Sequence, residues 1–285
     1  MTPRSGRGTP PVVLTIAGTD SGGAAGVAAD LATIGQLGAH GACVVTAVTA
    51  QDTTGVRAVH PVPLAVVSAQ LDAVLEDLPV ACVKTGMLGS ADVVALVATR
   101  VRDLGLPLVV DPVLVATSGA VLGDTEVVAA YREHLLPVAT VATPNGDEAA
   151  ALAGLRASAP ELARALTRLG CSVVVTGGPE GTDWLARPGG EPLSLRHAAV
   201  ATTNDHGTGC THSSALATRL ASGVDLVQAV AQAAEFTTSA LRRSRQWELG
   251  RGRGPVAHTA AAAQPVAAQP RCGSGHDAPG PGSGR

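Results

Sequence analysis

VVLTIAGTDSGGAAGVAADLATIGQL, residues 12–37, decides the fold class. Val12–Ala17 is an apolar run too short for a helix and therefore reads as a buried strand. The glycine-rich turn GTDSGGAAG (Gly18–Gly26) follows at once, and Ala24–Leu37 then carries a helical pattern. Strand, glycine turn and helix in that order open an α/β unit.

The same alternation continues along the chain. CVVTAVTA (Cys43–Ala50) reads as a second strand ending at Gln51 and Asp52, followed by a helix over Leu64–Asp77 and a strand over Val80–Val83. A helix over Ala91–Leu104, a strand over Leu108–Val110, a helix over Glu126–Glu133 and a strand over Val138–Ala142 come next. Helices over Glu148–Leu152 and Pro160–Leu169 lead to a strand over Ser172–Thr176. Near-continuous Val and Leu runs between amphipathic helices predict parallel strands buried on both faces. Turn signals GGPEGTDW and RPGGEP within 177–199 predict an antiparallel hairpin at the sheet edge, and helices at 209–221 and 225–245 close the fold. The expected organisation is a disordered segment 1–11, one α/β domain over 12–258, and a disordered Ala-, Pro-, Gln- and Gly-rich tail over 259–285.

Composition narrows the function classes. Hydrophobic residues make up 46% of the 285 residues but aromatics only 1%, so Ala, Val and Leu must build the core. A formal charge of −3 offers no basic field for nucleic acid or an anionic membrane. The five cysteines (Cys43, Cys82, Cys171, Cys210 and Cys272) form no CxxC pair, which argues against a disulfide framework or a zinc site and for a reducing compartment. No leader and no apolar run of roughly 18 residues is present, so the expectation is a cytoplasmic protein.

Ligands of open α/β sheets sit beyond the carboxyl ends of the strands, and the residues there are polar or glycine. The strongest such stretch is TTNDHGTGCTHSS (Thr202–Ser214). Its Gly207-Thr208-Gly209 turn empties into a helix N-terminus, where unpaired N–H groups and the helix dipole favour an anion. The same dipoles favour a thiolate at Cys210, which could then serve as a base or nucleophile; a flexible turn before a helix with a buried cysteine also fits. Asp111 ends a strand, and Asn145 with Glu148 opens a helix (TPNGDE). These oxygen ligands suit Mg²⁺ held together with substrate phosphates, although Asn145 and Glu148 also read as a capping pair. Gln51 offers a paired donor and acceptor suited to an aminopyrimidine edge, or to a neighbouring backbone. His206 and His212 flank Cys210 and read as structural histidines. Gly18–Gly26 fits a dinucleotide fingerprint poorly, Asp52 lies too far along to be its ribose ligand, and no GxxxxGK[ST] loop occurs.

Taken together, TIAGTDSGG (15–23), AGVAADL (25–31), VTAVTAQDTTGV (45–56), VKTGML (83–88), DPV…SG..L (111–122), TPNGDEA (143–149), TGG (176–178), NDHGTGCTHSSALA (204–217) and GRGRGPVAH (250–258) resemble the hydroxymethylpyrimidine/phosphomethylpyrimidine kinases of thiamine biosynthesis, in the ribokinase-like superfamily. The resemblance runs in order from about residue 12 to 258. It implies a three-layer α/β/α fold with a mainly parallel central sheet, a homodimer, and two successive Mg²⁺- and ATP-dependent transfers. The first acts on 4-amino-5-hydroxymethyl-2-methylpyrimidine and the second converts its monophosphate to the diphosphate. It further implies Cys210 as base, Gly207, Thr208 and Gly209 as anion hole, and Gln51 against the pyrimidine with Gly18, Asp20, Met87 and Val113 around it. Asn145, Thr176 and Gly178 fall on the nucleotide side, and Glu148 and Asp111 by the metal. The chain departs from many relatives at Thr176, where they carry lysine, and at Ala28 and Ala32, where they carry Gln and Lys. The charge of ATP is then left to Mg²⁺, backbone amides and arginine. Pyridoxal kinase is the nearest rival, because pyridoxal also presents a hydroxymethyl group; a pocket that binds without transfer is another.

Overall fold

A computed structural model describes residues 8–114 and 122–259. The expected disorder of residues 1–7 and 260–285 lies outside the described residues, as do Cys272 and the Ser118-Gly119 part of the 111–122 motif.

Strand β1 (Val12–Ala17) is buried along its whole length and pairs in parallel with β2 (His40–Val45) on one side and β5 (Val80–Thr85) on the other. Next come β6 (Leu108–Val110), β7 (Val141–Ala142) and β8 (Ser172–Gly178), all parallel. β9 (Thr182–Ala186) and β10 (Leu193–Arg196) add antiparallel at the edge, as the turn signals predict. The spatial order is β10-β9-β8-β7-β6-β5-β1-β2, so the chain reverses direction across the sheet between β1 and β5.

Helices cover both faces. α2 (Leu64–Asp77), α3 (Ala91–Arg102), α4 (Thr125–Ala130), α5 (Gly146–Ala153) and α6 (Ala159–Leu166) pack Val67, Leu71, Val97, Val127, Leu152 and Leu162 into one core. On the opposite face α1 (Gly26–Gln36), α7 (Thr208–Ala221) and α8 (Leu226–Ser244) bury Ile34, Leu216, Val230 and a series of alanines. The result is the expected three-layer α/β/α sandwich with a mainly parallel sheet. Its interior is aliphatic, with Tyr131 the largest fully buried side chain.

The structure corrects several boundaries. Cys43–Ala50 is two strands, not one: β2 ends at Val45, and β3 (Ala47–Asp52) leaves the main sheet to pair with β4 (Gly55–Pro61) in a separate antiparallel hairpin. Thr46 is the hinge, donating its N–H to Ala17 O and accepting from Val62 N, both at 2.9–3.0 Å. The run expected at Val138–Ala142 shortens to two residues because Leu136–Val138, with Pro137, forms a 3₁₀ turn. The helix expected over Glu126–Glu133 is regular only to Ala130 and continues as a wider π turn over Tyr131–Leu135. No helix among the described residues is long and apolar enough to cross a membrane.

Candidate active site

A single cleft opens over the carboxyl ends of the parallel strands, at the reversal between β1 and β5. Such a switch point is where α/β sheets bind ligands. Gly18, Thr19 and Asp20 come from the turn after β1, Gly86 and Met87 from the end of β5, and Asp111 and Val113 from the end of β6. Thr49 and Gln51 reach in from the β3–β4 hairpin, and Thr143, Asn145 and Glu148 from the start of α5. Thr176 closes one end, and Asp205, His206 and Gly207 to Cys210 form the wall beneath α7. Every residue that the resemblance assigns to the site lines this cleft except Gly178, which packs on β9 instead, with its β-carbon position 2.1 Å from Thr182 O.

The α7 N-terminus is held by geometry only glycine allows. Gly207 has φ +88°, and a β-carbon there would stand 1.8 Å from Ala24 O. The turn after β1 is thereby pressed against α7. No side chain caps that helix end; Thr208 N donates to Asp205 O at 3.2 Å, and the Gly209 and Cys210 N–H groups lie at the cleft wall without a side-chain cap.

A buried ion network lies below this turn, and no motif in the sequence pointed to it. Lys84 is fully buried, and its Nζ donates to Asp30 Oδ1 and Oδ2 at 2.8 and 2.9 Å. Asp30, on the inward face of α1, also accepts from Thr15 at 2.6 Å and Ser214 at 2.7 Å. Asp111 Oδ2 lies 3.9 Å from the same ammonium and accepts from Ser213 at 3.0 Å. The signal in the sequence was an aspartate within the otherwise apolar GVAADLATIG helix together with the chain's only lysine.

Burial in this network runs against one expectation about Cys210. Burial pushes its thiol up to about 12, the Asp30 and Asp111 carboxylates add to the rise, and Lys84 and the Gly26 amide only partly oppose it. The sulfur therefore carries its proton at neutral pH in the ligand-free cleft. Lys84 and the Gly26 amide favour an anion there, but burial outweighs them.

Asn145 and Glu148 do form the capping box that their spacing allows. Asn145 Oδ1 accepts from the amides of Asp147 and Glu148 at 3.0 and 2.9 Å, and Glu148 Oε2 accepts from Asn145 N at 2.9 Å. Glu148 nonetheless faces the cleft. Burial, and then the nearby Asp111 charge, push its carboxyl up to about 8. Among the described residues no cluster of three or more His, Cys, Asp or Glu stands ready to hold a metal alone. Two mutually repelling buried carboxylates suit a divalent cation that takes its remaining ligands from phosphate and water.

Opposite this end, His206 Nε2 lies 3.1 Å from Asp20 Oδ2 and 3.0 Å from the Gln51 side-chain nitrogen. Although burial raises the Asp20 carboxyl, the His206 contact and the amides of Gly22 and Ala25 bring it below the usual carboxylate range. Asp52 proves to be a turn residue, accepting from Thr54 N and Gly55 N. The hairpin tip is latched across the cleft mouth, with Thr53 Oγ1 accepting from Arg251 N and Gly252 N at 3.1 and 3.2 Å. A β-carbon at Gly252 would come 2.0 Å from Thr53 O. Gly252→Ala is therefore expected to release the latch, at a cost of about 1 kcal/mol for the lost bonds. Amide hydrogen exchange should quicken in β3 and β4 and stay unchanged in β1 and β5; uniform protection would count against the latch.

The family model described as phosphomethylpyrimidine kinase matches residues 20–257 of this chain. The chain belongs to the phosphomethylpyrimidine kinase family. A hydroxymethylpyrimidine/phosphomethylpyrimidine kinase of Rhizobium meliloti is 47% identical over 257 residues, covering 87% of this chain and 96% of the relative. Among solved structures, an ADP complex of Bacillus subtilis pyridoxal kinase superposes with a TM-score of 0.81 at 33% identity, covering 88% of this chain and 98% of that one. A phosphomethylpyrimidine kinase from Clostridium difficile gives 0.72 at 32% identity, covering 81% and 99%. The family model thus covers the sandwich from the turn after β1 to Ala257, and the ribokinase-like fold of the similar solved structures is the one found here. The chain is a kinase.

Proposed function

We propose that this kinase transfers the terminal phosphoryl group of Mg-ATP to the hydroxymethyl group of 4-amino-5-hydroxymethyl-2-methylpyrimidine, and then to the resulting monophosphate, in thiamine diphosphate biosynthesis. The observation that carries this reading is the convergence of Gln51 and the α7 N-terminus with Cys210 on one cleft. Gln51 pairs with the aminopyrimidine edge, and Gly18, Met87 and Val113 enclose the ring. The Gly207–Cys210 amides face the oxygens of the transferring group, where oriented donors lower the barrier without reorganisation. Phosphoryl transfer needs alignment and charge stabilisation more than covalent help. Cys210 takes up the hydroxyl proton as the thiolate, after its own thiol proton has left to water.

The nucleotide has its own place. A second cavity shares Thr176, Thr208 and Gly209 with the cleft and continues past His197, His212 and Thr238. Neither cavity is lined by Arg or Lys among the described residues. The α7 amides and Mg²⁺ carry the charge of ATP instead, with Asp111 and Glu148 as the carboxylates available to the cation, which would stabilise negative charge on the phosphates. A homodimer fits the exposed apolar face formed by Val48 and Val59 of the hairpin and Leu64 and Val66 of α2, each 42–51% exposed. The cytoplasm is the matching compartment.

The test is product formation from the hydroxymethylpyrimidine with Mg-ATP, followed by mass. Monophosphate and then diphosphate are expected. Absence of both from folded protein would sink the reading, and tight pyrimidine binding without transfer would point to a binding protein. The close match to pyridoxal kinase structures favours one second reading, so pyridoxal belongs in the same assay.

A further inference from the structure

His206 lies on the cleft wall beside Gln51 with its backbone pinned: its N–H donates to Gly254 O and its carbonyl accepts from Val256 N, both at 3.0 Å. The ring therefore approaches Gln51 from a fixed direction. Its Nε2 meets two groups, Asp20 Oδ2 at 3.1 Å and the Gln51 amide at 3.0 Å. Asp20 already gathers the amides of Gly22, Ala24 and Ala25, as an ionised carboxylate does. A nitrogen lone pair facing it would set acceptor against acceptor, so Nε2 carries the proton and donates to Asp20. That tautomer also leaves the partnerless buried Nδ1 as a lone pair, not as an orphaned N–H.

A protonated Nε2 cannot accept from the Gln51 amine. The contact is satisfied when the Gln51 carbonyl oxygen turns toward His206 and shares its Nε2 proton with Asp20 in a bifurcated bond. Thr49 supports the same orientation independently. Its hydroxyl proton goes to Thr19 O at 2.8 Å, so toward the Gln51 amide, 3.5 Å away, it can only accept and calls for an N–H.

We infer that His206 is a positioning residue for substrate specificity: it fixes the Gln51 amide with its carbonyl toward the histidine and its amine toward Thr49. The histidine thereby sets the order of acceptor and donor that the cleft presents to a heteroaromatic ring. The inference rests on the pyrimidine-kinase reading above. A ring nitrogen beside an exocyclic amine matches one order of Gln51 oxygen and nitrogen. The 4-oxo analogue, with a protonated ring nitrogen beside a carbonyl, matches the reverse. With His206 in place the amide cannot turn over without setting donor against donor; without it, either ring can be accommodated.

The experiment compares kcat/KM for the 4-amino substrate and its 4-oxo analogue in the parent and in His206→Ala. The parent is expected to prefer the amine by roughly 10-fold or more, the scale of one bidentate amide pair. In His206→Ala that ratio should collapse toward one, chiefly through KM. A merely structural histidine would lower both substrates together and leave the ratio intact, which would overturn the inference. Should His206→Ala not fold, His206→Asn carries the same comparison, since its side chain is too short to span Asp20 and Gln51. Turnover of neither pyrimidine by the parent would instead remove the kinase reading on which the inference stands.

Discussion

Cys210→Ser is expected to lower kcat by roughly 10²- to 10⁴-fold, the range for removing one positioned proton-transfer group, with KM for the pyrimidine little changed. Serine keeps the size and the helix start but offers a hydroxyl far too weakly acidic to cycle a proton. The thiol lies at the α7 N-terminus, facing the same cleft as Gln51, so it is placed to meet the reacting hydroxyl. A matched loss of kcat and kcat/KM would identify an interaction made only in the transition state. A rate within threefold of the parent would assign Cys210 to packing.

The ligand-free thiol supplies a pH signature for the same residue. Its folded pKa of about 12 lies above the ordinary 9.0, so the thiolate fraction climbs tenfold per pH unit throughout the neutral and mildly alkaline range. Alkylation of Cys210, mapped by mass to separate it from the partly exposed Cys43, should show no plateau between pH 6 and 10. A plateau near neutrality would restore the thiolate that the sequence suggested.

Lys84→Met is expected to destabilise the fold by about 3–5 kcal/mol, because it strands a buried carboxylate without its counter-charge. Asp30 and Lys84 are both fully buried, and a second carboxylate, Asp111, waits 3.9 Å away. Thr15 and Ser214 can still donate to Asp30, but neutral donors do not replace an ammonium. Pairing the change with Asp30→Asn should recover part of the loss, and the double-mutant cycle measures the coupling. Equal midpoints for parent and Lys84→Met in urea would refute the assignment. The sign with pH follows from direction: the folded pKa of Lys84 is raised above its ordinary 10.5. Its contribution is complete below that value and disappears only in strong alkali as pH climbs through the folded pKa.

The sequence made the sandwich legible because each parallel strand is a short Val- and Leu-rich run and each helix has an apolar stripe. It concealed the β3–β4 hairpin. CVVTAVTA reads as one continuous strand-forming run, and nothing in its composition marks Thr46 as the residue where the chain leaves one sheet for another. GVRAVHP, most of it exposed, has no buried face to generate a pattern. The cleft was legible through position, since residues just past strand ends must meet there. The support beneath it was not: Asp30 and Lys84 lie 54 positions apart, and only the fold brings them together. The protonated state of Cys210 was likewise hidden, because it depends chiefly on burial by other elements.

The burial of Lys84 also makes the folded chain almost blind to amine chemistry. It is the only lysine among 285 residues, and its side chain has no exposed surface. An amine-directed dye or cross-linker added to the native protein should therefore stop at the terminal α-amino group. A second label would appear only in molecules whose central sheet has opened, turning one residue of the active-site foundation into a built-in counter of unfolding.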